Sequence, residues 1–224
     1  MSPLIDRMLD PSMSIRFQFL FSALILMLAT PVLLPDRFME HVVPPLFTFL
    51  ALAALVSVAT RKRTLVIGIL LGAPALLLQW IAPRDPSLMV NSLMGEILAD
   101  LFLLWVTVAI LAHVLRARTV STEVLFAVAC VYLLLALIWS MAYGIADAFQ
   151  PGTLTGSDLS GRGYHTYFSF VTLTTLGYGD ITPVTDAGRL LAILEATLGQ
   201  LFLVIVVARL VGMHTAQRLA SARE

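Results

Sequence analysis

Thr174, Thr175, Leu176, Gly177, Tyr178, Gly179 and Asp180 form the stretch on which the reading of this 224-residue chain turns. Its two glycines alternate with bulkier residues. Glycine alone reaches left-handed dihedrals without a Cβ clash, so a backbone punctuated in this way can turn neighbouring carbonyls to one side. A dehydrated cation in a bilayer needs its lost water oxygens replaced, and a ring of carbonyls gathered from several chains supplies them. The hydroxyl of Thr175 would add an oxygen beneath that ring.

The setting separates this stretch from a Gly-Tyr-Gly turn in a soluble domain. An amphipathic segment precedes it and a long apolar run follows. The chain is 59% hydrophobic and 12% charged, with mean hydropathy +0.92; soluble domains carry about 25% charged residues. These values describe a polytopic membrane protein. A formal net charge of zero and the lack of a basic stripe with aromatics argue against nucleic acid as a partner. The single cysteine, Cys130, lies in an apolar run and reads as a small buried hydrophobe.

A helix needs about 20 mostly apolar residues to cross the hydrocarbon core. Such runs fall at residues 16–34, 42–60, 64–82, 93–115, 124–146 and 188–213. The first follows Arg7 and Arg16 as a signal peptide would, yet no A-x-A site appears, so a retained helix is expected. Pro44 and Pro45 fall near the start of the second run, where missing amide donors matter least. Gly68 and Gly72 give the third a spacing that allows close helix approach. Residues 150–163 read as a Gly, Ser and Thr-rich loop. Residues 164–174 are too short to span and suit a re-entrant half-helix whose C-terminal dipole end points toward a cation.

Basic residues in short loops stay cytoplasmic. Six crossings with both termini inside place Arg7, Arg16, Arg61, Lys62, Arg63, Arg116, Arg118, Arg209, Arg218 and Arg223 on the inner side. Arg37, Arg84, Arg162 and Arg189 then lie outside, a bias of ten against four. Most acids sort to the outer side, where they would concentrate cations.

In residues 164–199 the chain resembles the potassium-channel superfamily, whose filter signature TVGYG is matched here by Thr175, Leu176, Gly177, Tyr178 and Gly179. Leu176 departs from the usual valine. The resemblance implies a homotetramer in the lipid bilayer, with K+ coordinated by the carbonyls of Thr175, Leu176, Gly177 and Tyr178 and supported by Thr174, Gly179, Asp180 and Tyr167. Tyr178 would pack its ring outward and brace the filter. Tyr167 and Phe168 stand where a Trp pair is frequent, and only Tyr167 has a hydroxyl to give Asp180. Val171 occupies a place where some relatives carry a carboxylate.

Gly199 lies at the spacing where the family's inner helix bends, and a hinge is favoured over a close helix contact. Glu195 is the one charge well inside the sixth run; a carboxylate at that depth is costly and often functional. It is expected to couple the inner helix to the pore helix through Thr172 or another hydroxyl, and to respond to pH. Gln200 with Leu203, Val204, Val207 and Val211 would line the cavity. The fourth run has no arginines along its interior, so an arginine-type voltage sensor is not expected. Glu96 and Asp100 share a helix face there and would meet water or Arg84, or form an acidic ion or proton site. His113 and His165 lack partners at metal-ligand spacing and read as interfacial.

The apolar runs and the resemblance together imply an all-α membrane protein of six transmembrane helices plus a re-entrant pore helix and filter, expected to assemble as a tetramer. Residues 1–118 form a four-helix scaffold, residues 119–213 the pore domain, and residues 214–224 a short cytoplasmic tail without a regulatory domain. The expected function is passive K+ conduction in the cell membrane, with no cofactor, no metal beyond K+ and no enzymatic activity. A weakly selective cation channel is the alternative. A proton-coupled transporter using Glu96, Asp100 and Glu195 is a further one, although no inverted repeat is visible.

Overall fold

A computed structural model describes residues 15–34, 36–59, 62–81, 89–156, 159 and 163–221. The expected positions at Arg7, Arg61, Arg84, Arg162 and Arg223 lie outside the described residues. Helices run over Arg16–Leu33 (α1), Asp36–Val58 (α2), Lys62–Ile81 (α3), Met89–Arg116 (α4) and Thr122–Phe149 (α5). A strand at Leu154–Gly156 (β1) follows, then a ten-residue helix at Tyr164–Leu173 (α6), a strand at Ile181–Pro183 (β2) and a long helix at Asp186–Ser221 (α7).

Among the described residues, α2, α3, α4, α5 and α7 are long and apolar enough to cross a membrane. The 18 residues of α1 reach about 27 Å at 1.5 Å per residue, close to the thickness of the hydrocarbon core. The architecture is that of an all-α, multi-pass membrane protein. At ten residues, α6 extends only about 15 Å and cannot span.

Several boundaries differ from the sequence reading. Helix α2 begins at Asp36, so Pro44 and Pro45 fall inside it; membrane helices tolerate such prolines because local adjustments satisfy the freed carbonyls. Helix α7 continues past Met213 to Ser221, because Thr215, Gln217 and Arg218 are polar without breaking a helix, and Arg218 suits the negative C-terminal end. The loop after α5 contains an unexpected strand. β1 pairs antiparallel with β2, Leu154 opposite Pro183 and Gly156 opposite Ile181, and the Val184 amide donates a hydrogen bond to the Thr153 carbonyl at 3.0 Å.

Packing divides into two clusters. The larger joins α1 to α5 through Phe17, Leu20, Leu50, Phe102, Val106 and Leu134, all fully or nearly fully buried. α1 lies against α2 and α5, α3 against α4, and α4 against α5. The smaller cluster, Tyr143, Leu154, Phe168 and Ile181, links α5, β1, α6 and β2. α6 is thus wedged between α5 and α7.

The cytoplasm-facing ends expected from the sequence are tied to one another. Glu123, in the first turn of α5, accepts from Arg16 Nη2 at 3.2 Å and lies 3.7 Å from His113 Nε2 at the end of α4. Arg209 of α7 donates to the carbonyls of Leu115 and Ala117 at 2.6 and 2.9 Å. Those carbonyls close α4, whose last C=O groups have no partner within the helix.

Candidate functional site

The stretch after α6 folds back on the helix that precedes it. Amides of Leu176 and Gly177 both donate to the Val171 carbonyl, at 2.9 and 3.3 Å, and the Thr175 amide donates to the Thr172 carbonyl at 2.9 Å. Those carbonyls are among the last of a helix and otherwise lack intrahelical partners. Beyond this anchor the backbone alternates in hand. Thr175, Gly177 and Gly179 have φ of 58°, 60° and 79°, with Leu176 and Tyr178 between them outside the left-handed region.

This alternation is what the glycine spacing predicts for 177 and 179. Thr175 extends it by one residue, and no glycine announces that position. A non-glycine residue held left-handed costs about 1–2 kcal/mol, so the surroundings must impose it. Residues 174–180 are all exposed in the single chain, with Leu176 at 56% and Tyr178 at 67%. The Tyr178 ring is thus largely uncovered among the described residues.

Three elements hold the stretch in place. From α5, Tyr143 meets Phe168 edge to face at 4.9 Å, Ser140 and Thr166 hydroxyls lie 2.9 Å apart, and Tyr132 Oη donates to the Leu173 carbonyl at 3.4 Å. From the exit side, Tyr167 donates to Asp180 Oδ2 at 2.6 Å. That hydroxyl holds the Asp180 carboxyl below its usual range; reciprocally the bond raises the Tyr167 hydroxyl to about 12. Phe168, its neighbour, is buried. Asp147 at the end of α5 organises the loop, accepting from the amides of Gly152 and Thr153 at 3.0 and 2.9 Å and from Tyr164 Oη at 3.3 Å.

From α7 come Glu195 and Gly199. Glu195 is fully buried, its two oxygens engaged by Tyr143 and by Ser169. The coupling to α6 thus runs through another hydroxyl than Thr172, that of Ser169 one turn earlier. Helical period alone cannot choose between residues three apart on one face. At Gly199 an added Cβ would meet Leu173 Cδ1 at 2.6 Å and the Leu173 carbonyl at 3.2 Å. Close approach is therefore sufficient reason for the glycine, and α7 is a continuous helix through it. Val171 is buried and apolar.

Other expected residues take simpler places. Gln200, Val204, Val207 and Val211 are exposed on α7, whereas Leu203 is half-buried. Glu96 is exposed and Asp100 half-buried with Oδ1 lacking a hydrogen-bond partner; Arg84 lies outside the described residues. His113 has a partner in Glu123. His165 sits at the start of α6 with a buried, unpartnered Nε2. Among the described residues no group of His, Cys, Asp and Glu is arranged to hold a metal ion.

A short helix that cannot span is thus followed by a backbone of alternating hand and then by a long apolar helix, in an all-α membrane protein. The family model described as "Ion channel" matches residues 100–216, just over half of the chain, and the chain belongs to that family. It is 42% identical over 62 residues to Protein LctB of Geobacillus stearothermophilus, covering 28% of this chain and 46% of that one. It is 63% identical over 27 residues to the hyperpolarization-activated voltage-gated potassium channel of Methanocaldococcus jannaschii, covering 12% of this chain and 13% of that one. The match spans less than half the length of either relative. No solved structure matches.

Proposed function

We propose that this ion channel is selective for K+ and conducts it passively through a filter made by the carbonyls of Thr175, Leu176, Gly177 and Tyr178 from four identical chains. The observation that carries the reading is the left-handed backbone at Thr175, Gly177 and Gly179. Residues of alternate hand direct successive carbonyls to a common side, as replacement of a hydration shell demands. Thr174, Gly179, Asp180 and Tyr167 support the hairpin, and the bond between the last two ties its exit to α6.

Exposure supports the assembly. Irregular backbone at membrane depth persists only where it is enclosed by protein or lines water, yet the hairpin is exposed in one chain. Copies around an axis enclose it and give the Tyr178 ring a neighbour. α7 would be the inner helix, with Gln200, Val204, Val207 and Val211 toward the cavity. The six long helices α1 to α5 and α7 cross the membrane with α6 re-entrant, both termini in the cytoplasm and the hairpin at the outer face of the cell membrane. The match to a potassium channel over 27 residues favours K+ over an unselective pore. The test is flux from proteoliposomes: K+ efflux that barium blocks, with little Na+ efflux, supports the reading, and equal flux of both ions refutes it.

A further inference from the structure

Ser169 Oγ lies 2.7 Å from the Ala136 carbonyl of α5 and 2.5 Å from Glu195 Oε1 of α7. A serine hydroxyl has one proton to give and lone pairs to accept with, whereas a backbone carbonyl only accepts. If the Ser169 proton serves Ala136, the proton in the second contact belongs to the carboxyl group. The other carboxyl oxygen, Oε2, accepts from Tyr143 Oη at 2.7 Å. Every polar atom then has a role of the correct sense.

The surroundings agree with that count. Glu195 is fully buried, and among the described residues its titratable neighbours are Tyr143 by hydrogen bond and Tyr132 at longer range, both from α5. α6 offers Ser169, a neutral group. No Lys, Arg or His pairs with Glu195 among the described ion pairs. An ionised carboxylate in such a place is heavily penalised, while a neutral acid with both oxygens bonded is not.

We propose that Glu195 is kept as a neutral carboxylic acid, donating to Ser169 and accepting from Tyr143, and that this relay is the positioning device for α6 and the filter. It works in register with a second contact. Four residues further along α7, Gly199 meets Leu173, which lies four residues beyond Ser169 on α6. Leu173 immediately precedes Thr174, so the two contacts fix the depth at which the filter begins. A neutral acid does this without placing a fixed charge beside the ion path. The consequence for conduction rests on the channel reading proposed above; the protonation does not.

Two measurements separate these parts. Infrared difference spectra of the whole assembled protein at neutral pH, wild type minus Glu195→Gln, should show the carbonyl band of a protonated acid. Ser169→Ala should shift that band upward by removing its hydrogen-bond acceptor, a check that stands if Glu195→Gln fails to fold. A carboxylate band in place of the acid band overturns the proposal whatever the protein conducts. In flux, Gln reproduces the neutral acid's donor and acceptor and should keep K+ efflux within about threefold of wild type, while Glu195→Leu, which loses both bonds, should lower it at least about tenfold. Equal loss in Gln and Leu, with the assembly intact, would show that the charge is needed and overturn it.

Discussion

Replacing Gly199 with alanine puts a methyl group 2.6 Å from Leu173 Cδ1, 3.3 Å from its Cγ and 3.2 Å from its carbonyl oxygen. Leu173 is fully buried, and its carbonyl is held by Tyr132, so neither side chain nor backbone can withdraw freely. Overpacking of this kind costs about 1–3 kcal/mol. The helix interior gains up to about 1 kcal/mol from losing a glycine. The balance is a net loss of about 0–3 kcal/mol per chain, felt at the residue that leads into the proposed filter. The purified assembly with Gly199→Ala should melt at lower temperature and pass less K+. Adding Leu173→Val removes a methylene where the new methyl enters and should recover both properties, a coupling that neighbours in contact show. A hinge predicts otherwise: unchanged melting, altered flux and no rescue by Leu173→Val would refute the close-contact reasoning.

Gly177→Ala separates space from conformation, because an added Cβ there meets nothing within 4 Å while φ is +60°; the backbone cost of about 1–2 kcal/mol per chain should abolish selective K+ efflux with the assembly still intact on sizing. Tyr167→Phe removes the bond to Asp180 and should loosen the filter, read as increased Na+ entry. The Asp180 carboxyl is held below its ordinary value in the folded protein, so the bond's contribution is complete above the ordinary carboxylate value and is lost as external pH falls through the lowered one. K+ efflux should therefore hold steady from pH 7 to about pH 5 and decline only in stronger acid, with the decline moved to higher pH by loss of the Tyr167 hydroxyl. Arg209→Gln frees the carbonyls of Leu115 and Ala117 and should lower thermal stability by about 1 kcal/mol per bond lost, measured by melting of the assembly.

Where local chemistry decides, the sequence was explicit. Two glycines two residues apart announced the left-handed turns at 177 and 179, and the shortness of the preceding apolar segment announced a helix that does not span. A hydroxyl at Tyr167 and a carboxylate at Asp180 were compatible with the bond that the structure shows. The left-handed Thr175 could not be read in this way, since its strain is imposed by amides of residues 175, 176 and 177 reaching back to α6. A hydroxyl of α6 was expected to meet Glu195, but Ser169 could not be singled out from Thr172 because helical period leaves neighbours on one face equivalent. β1 and β2, separated by 24 residues between their ends, pair through backbone groups that no side chain advertises. Arg209 looked like an interfacial charge; its role in closing α4 depends on a tertiary contact across more than 90 residues.

A potassium filter must prefer K+ over Na+. The reversal potential of the reconstituted protein with K+ on one side of a bilayer and Na+ on the other measures that preference directly. A potential close to the limit set by K+ is the predicted result, and a potential near zero, with current still flowing, would contradict it.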